Sequence, residues 1–454
     1  MKKNISKNRI ELLSPAGDIE RLKTAVVFGA DAVYCGLPSW SLRNAREITF
    51  TMESLKEGIE FAHSHGAKVY ITFNVFPHES MLAKLEKDIK NVKTLDIDGV
   101  ILSDLGTLAL VKKHLPKVEI HVSTQANTLN TEAVKMWNEL GASRVVLARE
   151  LTLVEIKEIK KKLTSPFFAK ASEGDLNQKI EIEVFGHGAM CMAYSGRCLL
   201  SKYYTGREAN LGDCAQSCRW KYDIKSQKSK VKSQKYGVPS GQIFIEEETR
   251  PGDLLEVQED DNGTYFMNSR DMCSLDVIDK FIEAGIDSLK IEGRAKTVYY
   301  LAVVTGAYRK AIDLYYQMKD KKISKAGFAK KISEIRKELD LVAHRGYSHG
   351  FWFGRETYEQ EYEHAAFKPD ITFLGVVQGS KDGLLDIEVK NKFKVGEKID
   401  LITPDGVFKA KVLEIINSKD KKVGEALTPQ ERFWVKIDIK KDIPERSIVR
   451  KKGK

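Results

Sequence analysis

No stretch of 18 consecutive apolar residues occurs in this chain of 454 residues, so a membrane-spanning helix is not expected. No apolar segment follows the charged start MKKNISKNRI, so a secretory signal is not expected either, and the default expectation is a cytoplasmic protein. There is no HExxH and no GxSxG, which removes the familiar signatures of zinc peptidases and serine hydrolases. Cysteine is scarce, at six residues. Acidic residues are in the minority, 64 against 74 basic ones, for a net charge of +10. That excess suits a polyanion such as nucleic acid, and equally a lysine-rich surface with no such role. Hydrophobic residues make up 42%, enough for a sizeable core, and the length allows two or three domains.

What is present is an alternation. Short apolar runs, IELLSPAG (10–17), DAVYCGL (31–37), KVYITFNV (68–75), DGVILSD (98–104), EIHVSTQAN (119–127), RVVLARE (144–150), KIEIEVFGHG (179–188) and IDSLKIEGR (286–294), are separated by amphipathic stretches. About eight such βα units predict a closed (β/α) barrel of the TIM type over residues 1–316. The runs end on polar residues, among them Ser14, Asn74, Asp104, Gln125, Asn127, Glu150, His187, Glu292 and Arg294, and a barrel gathers such ends on one face. Residues 221–240 hold six lysines against one aspartate and read as a mobile insertion. A lysine-rich helical connector is expected over 317–367. From 368 to 454 the texture changes to short strands split by Gly, Asp and Asn, which predicts a small antiparallel β-barrel domain.

Four of the six cysteines, Cys191, Cys198, Cys214 and Cys218, fall in one loop, 186–220, directly after an expected inner strand. Four thiolates complete a tetrahedral zinc site or hold an iron–sulfur cluster. The spacings are wider than zinc knuckles, which favours the cluster, and both readings stand ahead of disulfides. Two buried thiols plus a reactive pair is the remaining alternative. Cys35 and Cys273 read first as packing residues.

The stretch Glu183-Val-Phe-Gly-His187-Gly-Ala-Met-Cys191, followed after four residues by Gly196-Arg-Cys198-Leu-Leu-Ser201, resembles the signature of the collagenase-like U-type peptidase family. ELLSPAGDIERLKTAV, HVSTQANTLN, NLGDCAQSCRWKY, DSLKIEGRAKTVYY and AHRGYSHGF agree with it, so the resemblance covers nearly the whole chain. It is strongest to the branch of prephenate-dependent tRNA uridine 5-hydroxylases, which act at the wobble position. The resemblance implies an oxygen-independent hydroxylase with a 4Fe–4S cluster on Cys191, Cys198, Cys214 and Cys218. It also implies prephenate as co-substrate, the tRNA anticodon loop as partner, and room for accessory iron–sulfur or redox proteins. The alternatives are a collagenase-like peptidase, a hydroxylase acting on ribosomal RNA, and a non-catalytic iron–sulfur RNA-binding protein.

Within that frame Arg149, Arg197, Lys290 and Arg294 are the candidates for binding carboxylates or phosphates, since a guanidinium pairs with such groups in two-pronged fashion. Their ordinary alternative is ion pairing at the barrel mouth, Arg149 with Glu150 and Arg294 with Glu292. Gln125, Asn127 and Asn74 are expected to read base edges or to orient the arginines. Tyr203 and Tyr204 are candidates for stacking on a base. His187 and Glu183 are the candidate acid–base pair, whereas His121 reads as structural.

Overall fold

The computed structural model describes residues 9–37, 40, 50–165, 180–191, 193–207, 209–211, 214–219, 243–246, 254–260, 263–265, 269–354, 357, 359, 369–381, 383–427 and 431–453. The lysine-rich segment 221–240 lies outside the described residues.

Eight parallel strands close into a barrel, as the alternation predicts. They are β1 (Glu11–Pro15), β2 (Ala32–Gly36), β3 (Lys68–Phe73), β4 (Gly99–Leu102), β5 (Glu119–Val122), β6 (Arg144–Val146), β7 (Glu181–Gly188) and β8 (Ser288–Ile291). Each pairs with the next, and β8 pairs with both β7 and β1, which leaves the barrel itself no free edge. The strands are short apolar runs because both faces are covered, by helices outside and by other side chains inside. Leu13, Ala32, Tyr34, Tyr70 and Ile101 form a small buried cluster of their own.

The outer helices begin where a side chain satisfies the first free backbone N–H groups. Asp18 caps α1 (Ile19–Val27), Thr51 caps α2 (Met52–Ser64), Asp104 caps α4 (Leu105–His114), and α3 (Leu82–Val92) starts without such a cap. Asn130 caps α5 (Thr131–Glu139), and Thr152 caps α6 (Leu153–Leu163) through a reciprocal box with Glu155. Each such cap stabilises its helix by about 1 kcal/mol.

A long excursion separates β7 from β8. It carries a short helix, α7 (Leu200–Thr205), then a strand, Asp271–Cys273, that runs antiparallel to β7, then α8 (Ile278–Glu283). After β8, α9 (Val298–Lys319) packs beside α1 and completes the ring. It continues through residue 316, where the barrel was expected to end, and α10 (Lys325–Leu339) packs against it. No helix among the described residues is long and apolar enough to cross a membrane.

The C-terminal part is a second closed barrel of six antiparallel strands: β9 (Ile371–Lys381), β10 (Leu384–Val389), β11 (Lys398–Ile402), β12 (Val407–Ile416), β13 (Arg432–Ile437) and β14 (Ile448–Lys452). The order is β11-β14-β9-β10-β13-β12, closed by β12 on β11. It has its own core of Leu374, Val377, Leu385, Ile387, Leu401, Val412 and Val435 among others.

Two arginines fasten the two barrels: Arg446, just before β14, pairs with Glu20 of α1, and Arg450 makes the deeper link. Arg450, on β14, is 0% exposed. It contacts Asp400 of its own barrel at 3.2 Å, Glu338 of α10 at 2.8 Å and the hydroxyl of Tyr299 of α9 at 3.1 Å. Removing one member of a buried pair leaves the other charge without compensation, at about 3–5 kcal/mol. Arg450→Met is therefore expected to lower the melting temperature strongly. The double change Arg450→Met with Asp400→Leu should melt higher than Arg450→Met alone, a comparison that thermal denaturation makes directly.

Candidate active site at the barrel mouth

Alternation along β7 sends Glu181, Glu183 and Phe185 toward the barrel axis. The lowest layer there is ionic. Arg144, which opens β6, reaches Glu11 at 2.5 Å, Glu181 at 2.6 Å and Glu183 at 3.1 Å. One layer higher, Lys290 on β8 meets Glu183 at 2.8 Å and lies 4.5 Å from the centre of the Tyr34 ring. Burial pushes the carboxyl groups of Glu11 and Glu183 up, but the charges of Arg144 and, for Glu183, Lys290 outweigh it. Glu11 is held down at about 2, and Glu183 stays below its ordinary value.

The next layer forms the mouth. Arg149 pairs with Glu292 across the lumen at 2.6 Å, donates to the Ala189 carbonyl and lies 4.0 Å over the Phe185 ring. Arg294 donates to Thr72 at 3.2 Å and sits 5.7 Å from the Tyr34 ring. Asn74 contacts the hydroxyl of Ser123 at 3.4 Å, and beside Ser123 lies Gln125, only 9% exposed. The side-chain oxygens of Gln125 and Asn127 are buried without a hydrogen-bond partner.

Of the residues singled out from sequence, Arg149, Arg294, Gln125, Asn74 and Asn127 therefore line or flank one mouth. Four placements correct the sequence expectation. Lys290 is not at the mouth but one layer down, tied to Glu183, and Glu183 is 0% exposed between two cations rather than poised as a base. Arg149 pairs with Glu292, not with its neighbour Glu150. His187 faces away from the lumen. The register between β7 and β8 slips at Gly186, so that Lys290 opposes Phe185 while Ile291 opposes His187. This bulge reverses the alternation and turns His187 outward, where Nδ1 meets the Tyr308 hydroxyl at 3.2 Å. The rings of Tyr300, Tyr308 and Tyr347 lie within 6.0 Å of it. Gly186 has no room for a side chain, since a Cβ there would lie 2.5 Å from Leu289. Phe185, Tyr34 and Thr72 at the mouth were missed in the sequence. Their signal was inward alternation on β7, β2 and β3.

The cysteine loop is mounted on this mouth. Asn210 exchanges hydrogen bonds with the backbone of Phe76 at 3.2 and 3.1 Å, and Arg197 lies 4.6 Å over the Phe76 ring. Gly196, with φ of +73°, passes so close to Gln125 that a Cβ would lie 2.0 Å from its side-chain oxygen. Inside the loop, the buried Ser201 hydroxyl donates to the Arg207 carbonyl and accepts from Ala215 N–H, both at 2.8 Å. This clamp holds the segment of Cys198 beside the segment of Cys214 and Cys218. Cys191, Cys198 and Cys218 are partly buried, Cys214 is exposed, and none of the four is in a disulfide. In kind the donor set fits an iron–sulfur cluster: four unbridged thiols on clamped segments. Among the described residues no three of Cys, His, Asp or Glu are gathered at metal-binding distance. Cys35 and Cys273 are buried at 0% exposure, and burial raises both thiols, Cys35 to about 12.

Burial also pulls the His187 imidazole from its ordinary 6.5 down to about 3. The folded state thus refuses a proton that the unfolded chain accepts. Stability should decline as pH falls from 6.5 toward 3, with a slope of up to about 1.4 kcal/mol per pH unit for this group. His187→Phe, which keeps a ring in the same box, should flatten the decline between pH 6.5 and 5 in denaturant titrations.

Comparison with known proteins adds to this geometry. The model of the family described as "Peptidase family U32" matches residues 17–362, and that of the "Peptidase family U32 C-terminal domain" matches residues 369–450. The chain is 38% identical to the "tRNA hydroxylation protein P" of Escherichia coli, over 95% of this chain and 94% of that one. It is 36% identical to the "tRNA hydroxylation protein P1" of Bacillus subtilis, over 100% and 97%. A protein of Porphyromonas gingivalis named "Collagenase" is 29% identical over 90% of each chain. With both of its domains matched in order and nearly every residue of the two barrels accounted for, the chain belongs to peptidase family U32.

Proposed function

We propose that this chain is a tRNA hydroxylase that converts the wobble uridine to 5-hydroxyuridine, with prephenate as co-substrate and a 4Fe–4S cluster in the loop. The observation that carries the reading is the full-length similarity, at 36–38% identity, to tRNA hydroxylation proteins of three bacteria. Its C-terminal barrel is part of that similarity. The net charge of +10 and a strongly polar mouth are consistent with a polyanionic substrate.

In this reading Cys191, Cys198, Cys214 and Cys218 hold the cluster, which when bound supplies one-electron transfer. The chain's own residues do the rest. Arg149 and Arg294 meet the two carboxylates of prephenate, and the rings of Phe185 and Tyr34 back the two guanidinium groups. Glu292 keeps Arg149 aimed across the mouth. The ionic layer of Arg144, Glu183 and Lys290 closes the lumen beneath and keeps water out of it. Gln125 and Asn127 offer buried oxygens as acceptors for a base edge. A wobble base already lies in a single-stranded loop, so exposing it to a pocket costs little.

A peptidase reading needs an activated nucleophile. His187, the histidine next to Cys191 in sequence, is turned to Tyr308 and boxed by tyrosines, so it does not serve as the base of a thiol pair.

Three measurements test the proposal. Anaerobically prepared protein should contain iron and sulfide, and Cys198→Ala or Cys214→Ala should lose both while Cys273→Ala retains them. Stoichiometric zinc without iron would reject the cluster. Incubation of the loaded protein with prephenate and unmodified tRNA should yield 5-hydroxyuridine by nucleoside mass spectrometry. Arg294→Lys should raise the prephenate concentration needed about 10- to 100-fold without changing the melting temperature, since a lysine cannot reproduce the two-pronged contact. Loss of activity that tracks unfolding would assign Arg294 to structure alone.

A further inference from the structure

The cysteine loop has an outer face that the cluster and the mouth leave unused. Tyr203 is 82% exposed and Tyr204 51%, and Leu199 and Tyr194 beside them are 73% and 42% exposed. Apolar surface is left in water in this way chiefly where something else covers it. The two tyrosines follow each other on α7, with ring centres 5.2 Å apart at 76°, so they present two differently oriented ring faces. The helix cannot roll to bury them, because Ser201 on its other side is 0% exposed and clamped to Arg207 and Ala215. The described stretch of this face is basic, with Glu208 next in sequence. Residues 193–207 include Arg197, Lys202 and Arg207 and no Asp or Glu. All three basic residues are exposed. The patch stands at the barrel mouth, because Asn210 and Gly196 seat the same loop on Phe76 and Gln125.

We infer that this face is the landing platform for single-stranded RNA: nucleotides flanking the reacting base stack on Tyr203 and Tyr204, while Arg197, Lys202 and Arg207 neutralise the backbone. The inference rests on the hydroxylase reading above and deepens it, by naming the surface that selects a loop over a duplex. Rings tolerate any base, and cations follow any backbone, so the platform recognises unpaired RNA by form rather than sequence. A paired stem offers no open base face and should not engage the tyrosines. A redox protein partner would instead be expected to find acidic or mixed charge on its docking face.

The full-length protein is titrated, by fluorescence anisotropy, with an anticodon stem–loop RNA and with a blunt duplex of the same length and charge. Tyr203→Ala and Tyr204→Ala should each weaken stem–loop binding about 5- to 100-fold and leave duplex binding unchanged. Tyr203→Phe, which keeps the ring, should bind as the wild type does. Iron content and melting temperature of the alanine variants should match the wild type, since both rings already stand in solvent. If the wild type hydroxylates tRNA but both alanine variants bind the stem–loop as tightly as it does, the inference is overturned while the hydroxylase reading stands. Unchanged RNA affinity combined with lost hydroxylation would assign the face to a protein partner and likewise overturn it. A wild type that binds the stem–loop through these tyrosines yet leaves the tRNA unmodified would sustain the platform and remove the hydroxylase reading.

Discussion

A charge inside a closed barrel has no water to turn to, and this constraint organises the lumen. Arg144 enters at the base of β6 and is met by three carboxylates, from Glu11, Glu181 and Glu183. Glu183 then requires a second cation and receives Lys290. Above that pair the pattern repeats with Arg149 and Glu292. The charges are compensated between layers rather than within each one, and they climb from the base of the barrel to its mouth. Ion pairs of this kind add little net stability over an apolar filling, because desolvation offsets the attraction. Their effect is positional: they fix which groups reach the mouth and at what angle.

The cysteine loop depends on that floor. It rests on Phe76 and Gln125, which continue β3 and β5, and its backbone approaches Gln125 where Gly196 carries no side chain. The loop is thus seated on rigid strand ends rather than hung between flexible ones. The thiols of Cys198 and Cys214 sit on a scaffold that Ser201 already closes.

Much of this was legible in the sequence, for identifiable reasons. Eight apolar runs between amphipathic stretches have few solutions other than a closed barrel, and polar residues after those runs had to converge. Arg149, Arg294, Asn74 and Gln125 were found in that way. The failures also have one cause each. His187 follows Glu183 and Phe185 at the period of a strand, and only the extra residue at Gly186 reverses it. A one-residue bulge leaves no mark in a pattern of period two. Lys290 and Arg294 look equivalent on paper because both belong to the same strand end, but a strand advances about 3.3 Å per residue, and four residues separate mouth from interior. The pairing of Arg149 with Glu292 joins β6 to β8 across the lumen, and no local rule connects residues so distant in the chain.

The fastening of the two barrels by Arg450 carries a consequence for assembly. Arg450 and Asp400 are direct partners across β14 and β11, so the guanidinium is oriented only once those two strands have paired. The same side chain then extends to Glu338 and Tyr299 on the first barrel. Closure of the small barrel and its attachment to the large one are therefore coupled through this residue, beside the Arg446–Glu20 pair and the stacked rings of Tyr299 and Phe373. A chain with its small barrel still open lacks this aimed guanidinium, so the Arg450 part of the attachment forms only after β14 and β11 have paired.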